Sequence, residues 1–186
     1  MPFELARTAA DELSRAGLFN GATLQMTGSQ YESELLAVLR SPLWVDGSYR
    51  RYRFPKSKAH QLAVTRGRFF EANFSLSEIV YGSNDAADSR TTLINLVAGM
   101  GAKQASMFLR NSGSTYELAI LDRHVLTYMS ALQLTITNDR NALGLKKYLA
   151  TEDIFHGYAQ HLGFNIGCLD WAIWIVMRVA RREHYL

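Results

Sequence analysis

The sequence predicts an all-α fold. Three observations predict it. Apolar residues recur at three- and four-residue spacing along most of the chain, the recurring runs open on capping residues or close on glycine, and alternating stretches are few and short. Leu5, Ala9 and Leu13 form an i, i+4, i+8 stripe after Pro2 that stops at Gly17. A second helix is expected from Gln30 to Arg40, with Leu35, Leu36 and Leu39 on one side, ending before Pro42. A third runs from Lys56 to Phe70 and brings Ala59, Leu62, Ala63 and Phe70 near one another. Ser75 and Glu78 read as a capping box for a short helix ending at Gly82. Asp88 to Val97 and Ala102 to Asn111 follow, the second stopped by Gly113. Asp122 suits the N-cap of a helix reaching Ala131. Thr151 is expected to cap a helix with Glu152 and Asp153 in its first turn, ending at Gly163. Asn165 then caps a last helix through about Arg182, whose late basic residues suit its dipole. Gln133 to Thr137 and Ala119 to Leu121 hint at extended chain, too little for a sheet. With no repeat and no Pro/Ser-rich linker, residues 1–186 read as a single helical domain. The softest candidate boundaries are the loops near Gly47 and Asn138.

Composition narrows the classes of function. Of 186 residues, 48% are apolar, enough for a sizeable interior. A formal charge of +3 and a pI near 9.1 permit an anionic partner without requiring one. Cys168 is the one cysteine, which excludes an intramolecular disulfide and any multi-cysteine zinc or iron–sulfur site, and fits a reducing compartment. The opening residues lack an apolar run followed by a cleavage site, so no secretory signal is expected. The most apolar stretch, Leu169 to Ala180, is interrupted by Asp170 and Arg178 and is too short to span a bilayer.

The chemistry-bearing stretch is Leu96-Val-Ala-Gly-Met-Gly-Ala-Lys103. Two glycines one residue apart let the backbone turn tightly and approach a ligand. The amides that open the next helix are expected to point outward, where they and the helix dipole suit a phosphate. An ordinary tight turn between helices reads the same way. Lys103 falls in the first turn, where the helix field disfavours a cation and would lower the amine's pKa, toward the neutral form that attacks carbon. A solvated surface lysine is the plainer reading. Asp122 lies 19 residues later, carried by an apolar run to a helix start. There it can cap the helix, and the same carboxylate can stabilise positive charge developing on a sugar. Arg50, Arg51, Arg53, Lys56, Lys58, Arg66 and Arg68 form the densest basic run, a candidate for contact with an anionic partner or simply a solvated face.

The run Gly99-Met-Gly-Ala-Lys-Gln-Ala-Ser-Met-Phe-Leu-Arg-Asn111, followed by Leu118-Ala-Ile-Leu-Asp-Arg-His124, resembles the 8-oxoguanine DNA glycosylase/AP lyases, the compact second type within the helix-hairpin-helix superfamily. Arg53-Phe54, Lys58-Ala59 and Leu169-Asp170 with Trp174 are more weakly similar. The resemblance implies a helix-hairpin-helix glycosylase fold of two helical lobes with a cleft between them, the motif falling at about 88–112. It implies Lys103 and Asp122 as the catalytic pair, and Gly99, Gly101 and His124 as phosphate contacts. Trp174 and the C-terminal residue, here Leu186, are implied as base-recognising groups. No cofactor is implied beyond a potassium or sodium ion on the hairpin backbone at 98–101. The implied partner is double-stranded DNA holding a damaged base, met by a monomer in the prokaryotic cytoplasm near the nucleoid, without a membrane. The implied reaction excises oxidised guanine through a lysine Schiff base and then nicks the strand. Leu186 stands where that family carries a lysine, so a different modified base stays open, as does a non-catalytic DNA-binding module.

Overall fold

The computed structural model describes residues 3–73, 75–83, 85–134 and 144–183. Among these it contains nine α-helices, one short 3-10 turn and one two-stranded hairpin. The all-α expectation holds. By contact, the chain divides into two compact units, Met1–Phe74 with Leu96–Gly99, and Ser75–Asn95 with Met100–Leu186.

The first unit holds α1 (Phe3–Arg15), the 3-10 turn (Gly21–Gln25), α2 (Gly28–Arg40), strands β1 (Leu43–Val45) and β2 (Ser48–Arg50), and α3 (Pro55–Ala72). The stripe of α1 is buried as its spacing requires, at Leu5, Ala9 and Leu13. Thr27 opens α2 with a capping box: its Oγ1 accepts from Gln30 N at 3.3 Å, and its own N–H donates to Gln30 Oε1 at 2.9 Å. Tyr31, Leu35 and Leu39 of α2 meet Ala59 and Ala63 of α3 in one apolar core. The small alanines let the two helices approach closely. Phe70 does not join them; it is 61% exposed, and the buried residues of α3 are Ala59 and Ala63.

The strands were not expected. Leu43 pairs with Arg50 and Val45 with Ser48, antiparallel, around Asp46 and Gly47. Both turn residues have positive φ, 50° and 79°. That is the backbone of a tight hairpin turn, for which Asp-Gly is a preferred pair. The loop near Gly47 is therefore the tip of a hairpin whose inward residues, Leu43 and Val45, belong to the core of the first unit.

The second unit holds α4 (Leu76–Tyr81), most of α5 (Ala86–Leu96), α6 (Ala102–Asn111), α7 (Arg123–Ala131), α8 (Leu145–His161) and α9 (Ile166–Glu183). The capping box at Ser75 and Glu78 forms as the sequence predicts. α9 packs on α7 and α8. Val125, Met129, Tyr148, Phe155, Ile166 and Ile173 lie at the centre of this interior. Asn165 opens α9 by accepting from Gly167 N at 2.9 Å. Thr151 does not cap a helix. α8 starts six residues earlier, after Gly144, and the Thr151 hydroxyl donates to Lys147 O at 2.8 Å inside the helix. A threonine whose hydroxyl finds the carbonyl four residues back needs no helix end. The segment Gln133 to Thr137 and the loop near Asn138 lie largely outside the described residues. Among the described residues, no single helix is long and apolar enough to cross a membrane.

Candidate active site

The glycine turn lies between the end of α5 at Leu96 and the start of α6 at Ala102. Gly99 has φ 77°, and a Cβ there would stand 2.4 Å from the Gln61 side-chain nitrogen. The positive φ demands glycine at this position, and a side chain there would also push the Gln61 amide aside. The Ala98 amide donates to Thr65 Oγ1 at 3.0 Å. Gly101 precedes α6, and its amide donates to Gln104 Oε1 at 3.2 Å. This corrects one expectation: the Gly101 amide already has an acceptor within its own helix.

Lys103 sits in the first turn of α6 and is half-buried, on a helix anchored by buried Ala102, Ala105, Ser106 and Leu109. Asp122 is the N-cap of α7. Its Oδ1 accepts from His124 N at 2.8 Å and Val125 N at 3.0 Å, so the carboxylate is fixed in direction as the sequence predicts. His124, in the first turn of α7, is buried at 7% exposure. Lys103 and Asp122 thus belong to the same unit, each at the start of a helix.

Residues 118–121, which deliver Asp122, join no strand ladder. Three successive amides of this segment donate to side chains. Ala119 N donates to Glu152 Oε1 at 2.9 Å and Ile120 N to Asp170 Oδ2 at 2.6 Å. Leu121 N donates to the Tyr148 hydroxyl at 3.2 Å, and that hydroxyl donates to Ala119 O at 2.7 Å. Both carboxylates are also paired with arginine. Arg90 Nη1 lies 2.8 Å and 2.6 Å from the two oxygens of Glu152 and donates to Ser106 Oγ at 3.3 Å. Arg110 Nη1 meets Asp170 Oδ1 and donates to Gly167 O at 2.8 Å. Burial drives the Asp170 carboxyl up to about 6 against the pull of Arg110 and the Ile120 amide, and the negative charge of Asp122 adds to the rise. Burial likewise pushes the Tyr148 hydroxyl up to about 12.

Sequence reasoning missed these pairs. The sequence places Glu152 in the first turn of a helix, and nothing in it singles out Arg90. A signal existed for Asp170, a lone carboxylate in an apolar run, which must find a partner when buried.

The remaining candidates divide. Trp174 is half-buried, and the Arg178 guanidinium lies 4.9 Å from its ring centre. Leu186 lies outside the described residues. In the basic run, Arg50, Arg51, Arg53 and Lys56 are exposed. Arg66 has a structural task instead: it donates to Thr23 O at 2.8 Å and Met26 O at 2.7 Å and stacks 4.1 Å from the Tyr31 ring centre. Among the described residues no cluster of three or more His, Cys, Asp or Glu side chains is placed to hold a metal ion.

Residues 34–164 match the family model described as 8-oxoguanine DNA glycosylase. The 8-oxoguanine DNA glycosylase/AP lyase of Metallosphaera sedula is 34% identical over 124 residues, which is 66% of this chain and 57% of that protein. The enzyme of the same name from Saccharolobus solfataricus is 33% identical over 128 residues, 67% of this chain and 58% of that one. The matched region therefore spans little more than half the length of these relatives. The crystal structure of the 8-oxoguanine DNA glycosylase of Thermotoga maritima superposes with a TM-score of 0.62 at 26% identity, covering 93% of this chain and 71% of that chain. The Methanocaldococcus jannaschii 8-oxoguanine glycosylase/lyase, solved with a 15mer DNA containing 8-oxoguanine, shares the fold at TM-score 0.62 and 23% identity, over 95% of this chain and 73% of that one. With its family match extending from α2 to the end of α8, and with lysine and aspartate each opening a helix of one unit, the chain belongs to the 8-oxoguanine DNA glycosylase family.

Proposed function

We propose that this chain is a bifunctional DNA glycosylase and AP lyase that excises 8-oxoguanine from double-stranded DNA. One observation carries the reading: in a chain of this family, a lysine in the first turn of α6 accompanies an aspartate fixed at the N-cap of α7. A duplex hides its glycosidic bonds, so the damaged nucleotide must leave the stack to react. The Lys103 amine attacks the anomeric carbon and the base departs with the bonding electron pair. Asp122, held by two backbone amides, stabilises the positive charge that develops on the sugar. After the nitrogen loses a proton, its lone pair forms the C=N bond as the bond from the anomeric carbon to the ring oxygen breaks, and that oxygen takes up a proton, leaving a protonated Schiff base. That iminium withdraws electrons, a proton leaves the adjacent carbon, and the 3′ phosphate is expelled by β-elimination.

Gly99, Gly101 and His124 are assigned to the DNA phosphates beside the lesion. A potassium or sodium ion would rest on the backbone carbonyls of 98–101, whose side chains supply no oxygen. Trp174 is assigned to the extruded base, with Arg178 covering one face of its ring.

Borohydride trapping tests the reading. Wild-type protein with an 8-oxoguanine duplex is expected to give a covalent adduct that Lys103→Gln abolishes. Asp122→Asn is expected to slow base release by about 10² to 10⁴-fold while DNA affinity changes little. Tight duplex binding by the wild type with no adduct on any lesion would leave a non-catalytic DNA-binding module. An adduct with another modified base only would reassign the substrate.

A further inference from the structure

The interior of the second unit contains charged groups that the reaction itself does not use. Arg90, Glu152 and Asp170 are 4%, 7% and 1% exposed. Burying two ion pairs does little for stability by itself, because desolvation offsets most of the attraction. Their geometry gives them another task. Each carboxylate accepts from an arginine on one side and from a backbone amide of the Asp122 segment on the other. On the arginine side, both chains of contact end on α6: Arg110 is a residue of α6, and Arg90 donates to Ser106 of α6. Ser106 and Arg110 follow Lys103 by three and seven residues, so the three share a face of that helix.

We propose that Glu152 and Asp170 are positioning residues, which lock the backbone at Ala119 and Ile120 to α6 and so set the Asp122 carboxylate relative to the Lys103 amine. Tyr148 completes the splint by bridging Leu121 N and Ala119 O through one hydroxyl. The two carboxylate contacts, to Ala119 N at 2.9 Å and Ile120 N at 2.6 Å, are buried, where the loss of an acceptor leaves an orphaned amide. Misplacement of a reacting group by about 1 Å is enough to cost on the order of 100-fold in rate. The inference rests on the catalytic roles assigned above to Lys103 and Asp122.

The test joins amide hydrogen exchange, which needs no activity, to single-turnover base release. In Asp170→Asn, with helix content by circular dichroism unchanged, exchange at Ile120 is expected to accelerate about tenfold or more. Base release is expected to slow by a similar factor at saturating DNA, with Kd for the duplex within about twofold of wild type. Tyr148→Phe is the gentler variant, for use if Asp170→Asn fails to fold. It is expected to accelerate exchange at Leu121 and to slow base release by a smaller factor, again without loss of affinity. Folded variants whose exchange at 119–121 matches wild type overturn the proposal. So does faster exchange with an unchanged rate of base release, or a slower rate explained wholly by weaker binding. A wild-type protein that releases no base removes the functional reading, while exchange at 119–121 still decides whether these side chains hold the segment.

Discussion

The two units are built on opposite principles. The core of the first is hydrocarbon: Leu35, Leu39, Leu43, Ala59 and their neighbours, with Thr23 its one buried polar residue among those described. The second buries Ser89, Arg90, Ser106, His124, Glu152 and Asp170 amid its apolar residues. A hydrocarbon core is non-directional; it holds helices together and tolerates small shifts. A core of charged hydrogen bonds fixes angles and distances, at a cost in desolvation. The difference teaches where geometry matters, because the polar interior surrounds the segment that ends at Asp122.

The sharpest way to break this contrast is to unbalance a pair. Arg90→Met leaves the Glu152 side chain buried without its arginine and is expected to destabilise the protein by about 3–5 kcal/mol in urea unfolding. Adding Glu152→Leu should restore part of that, the remainder being the orphaned Ala119 amide at about 1–3 kcal/mol. Base release should stay impaired in this double variant although its stability improves. Recovery of both together would mean that the polar interior has no special bearing on geometry. The opposite manipulation belongs to the first unit. Leu35→Ala opens a cavity at a fully buried position and is expected to cost about 2–5 kcal/mol, while base release per folded molecule stays at the wild-type rate.

pH probes the second core without a cavity. Asp170 is raised from 3.8 to about 6, so the folded state holds its proton more tightly than the unfolded chain. The stability linked to that proton is present in full below pH 3.8 and is lost as pH rises through about 6. The stability of wild type relative to Asp170→Asn is therefore expected to fall across this window by about 3 kcal/mol. Parallel stability curves for the two proteins would show that Asp170 titrates as it does in the unfolded chain. The smallest effect belongs to the surface of the first unit. Gly47→Ala meets no neighbouring atom but forces alanine to φ 79°, and is expected to cost about 1 kcal/mol in thermal unfolding.

Local signals made much of this legible in the sequence. The bounds of α6, the cap at Asp122, the box at Ser75 and the stripe of α1 each arise from residues within a turn or two of one another. The misses share a different cause. Arg90 and Glu152 are 62 residues apart, and Arg110 and Asp170 are 60 apart, so no periodicity joins them. Thr151 misled because Thr-Glu-Asp is a good helix start whenever nothing precedes it, and here two turns do. The hairpin at Asp46-Gly47 carried its turn signature but has strands of three residues each, too short for an alternating pattern to register.

The Gln104 contact at the glycine turn bears on how such a loop meets an anion. A neutral amide oxygen already occupies the Gly101 N–H, so a phosphate bound there would exchange one acceptor for another instead of filling a vacancy. The free-energy gain in that trade comes from the charge of the newcomer. Attraction at this turn should therefore fade as mobile ions accumulate around it, even where shape and contacts are unchanged.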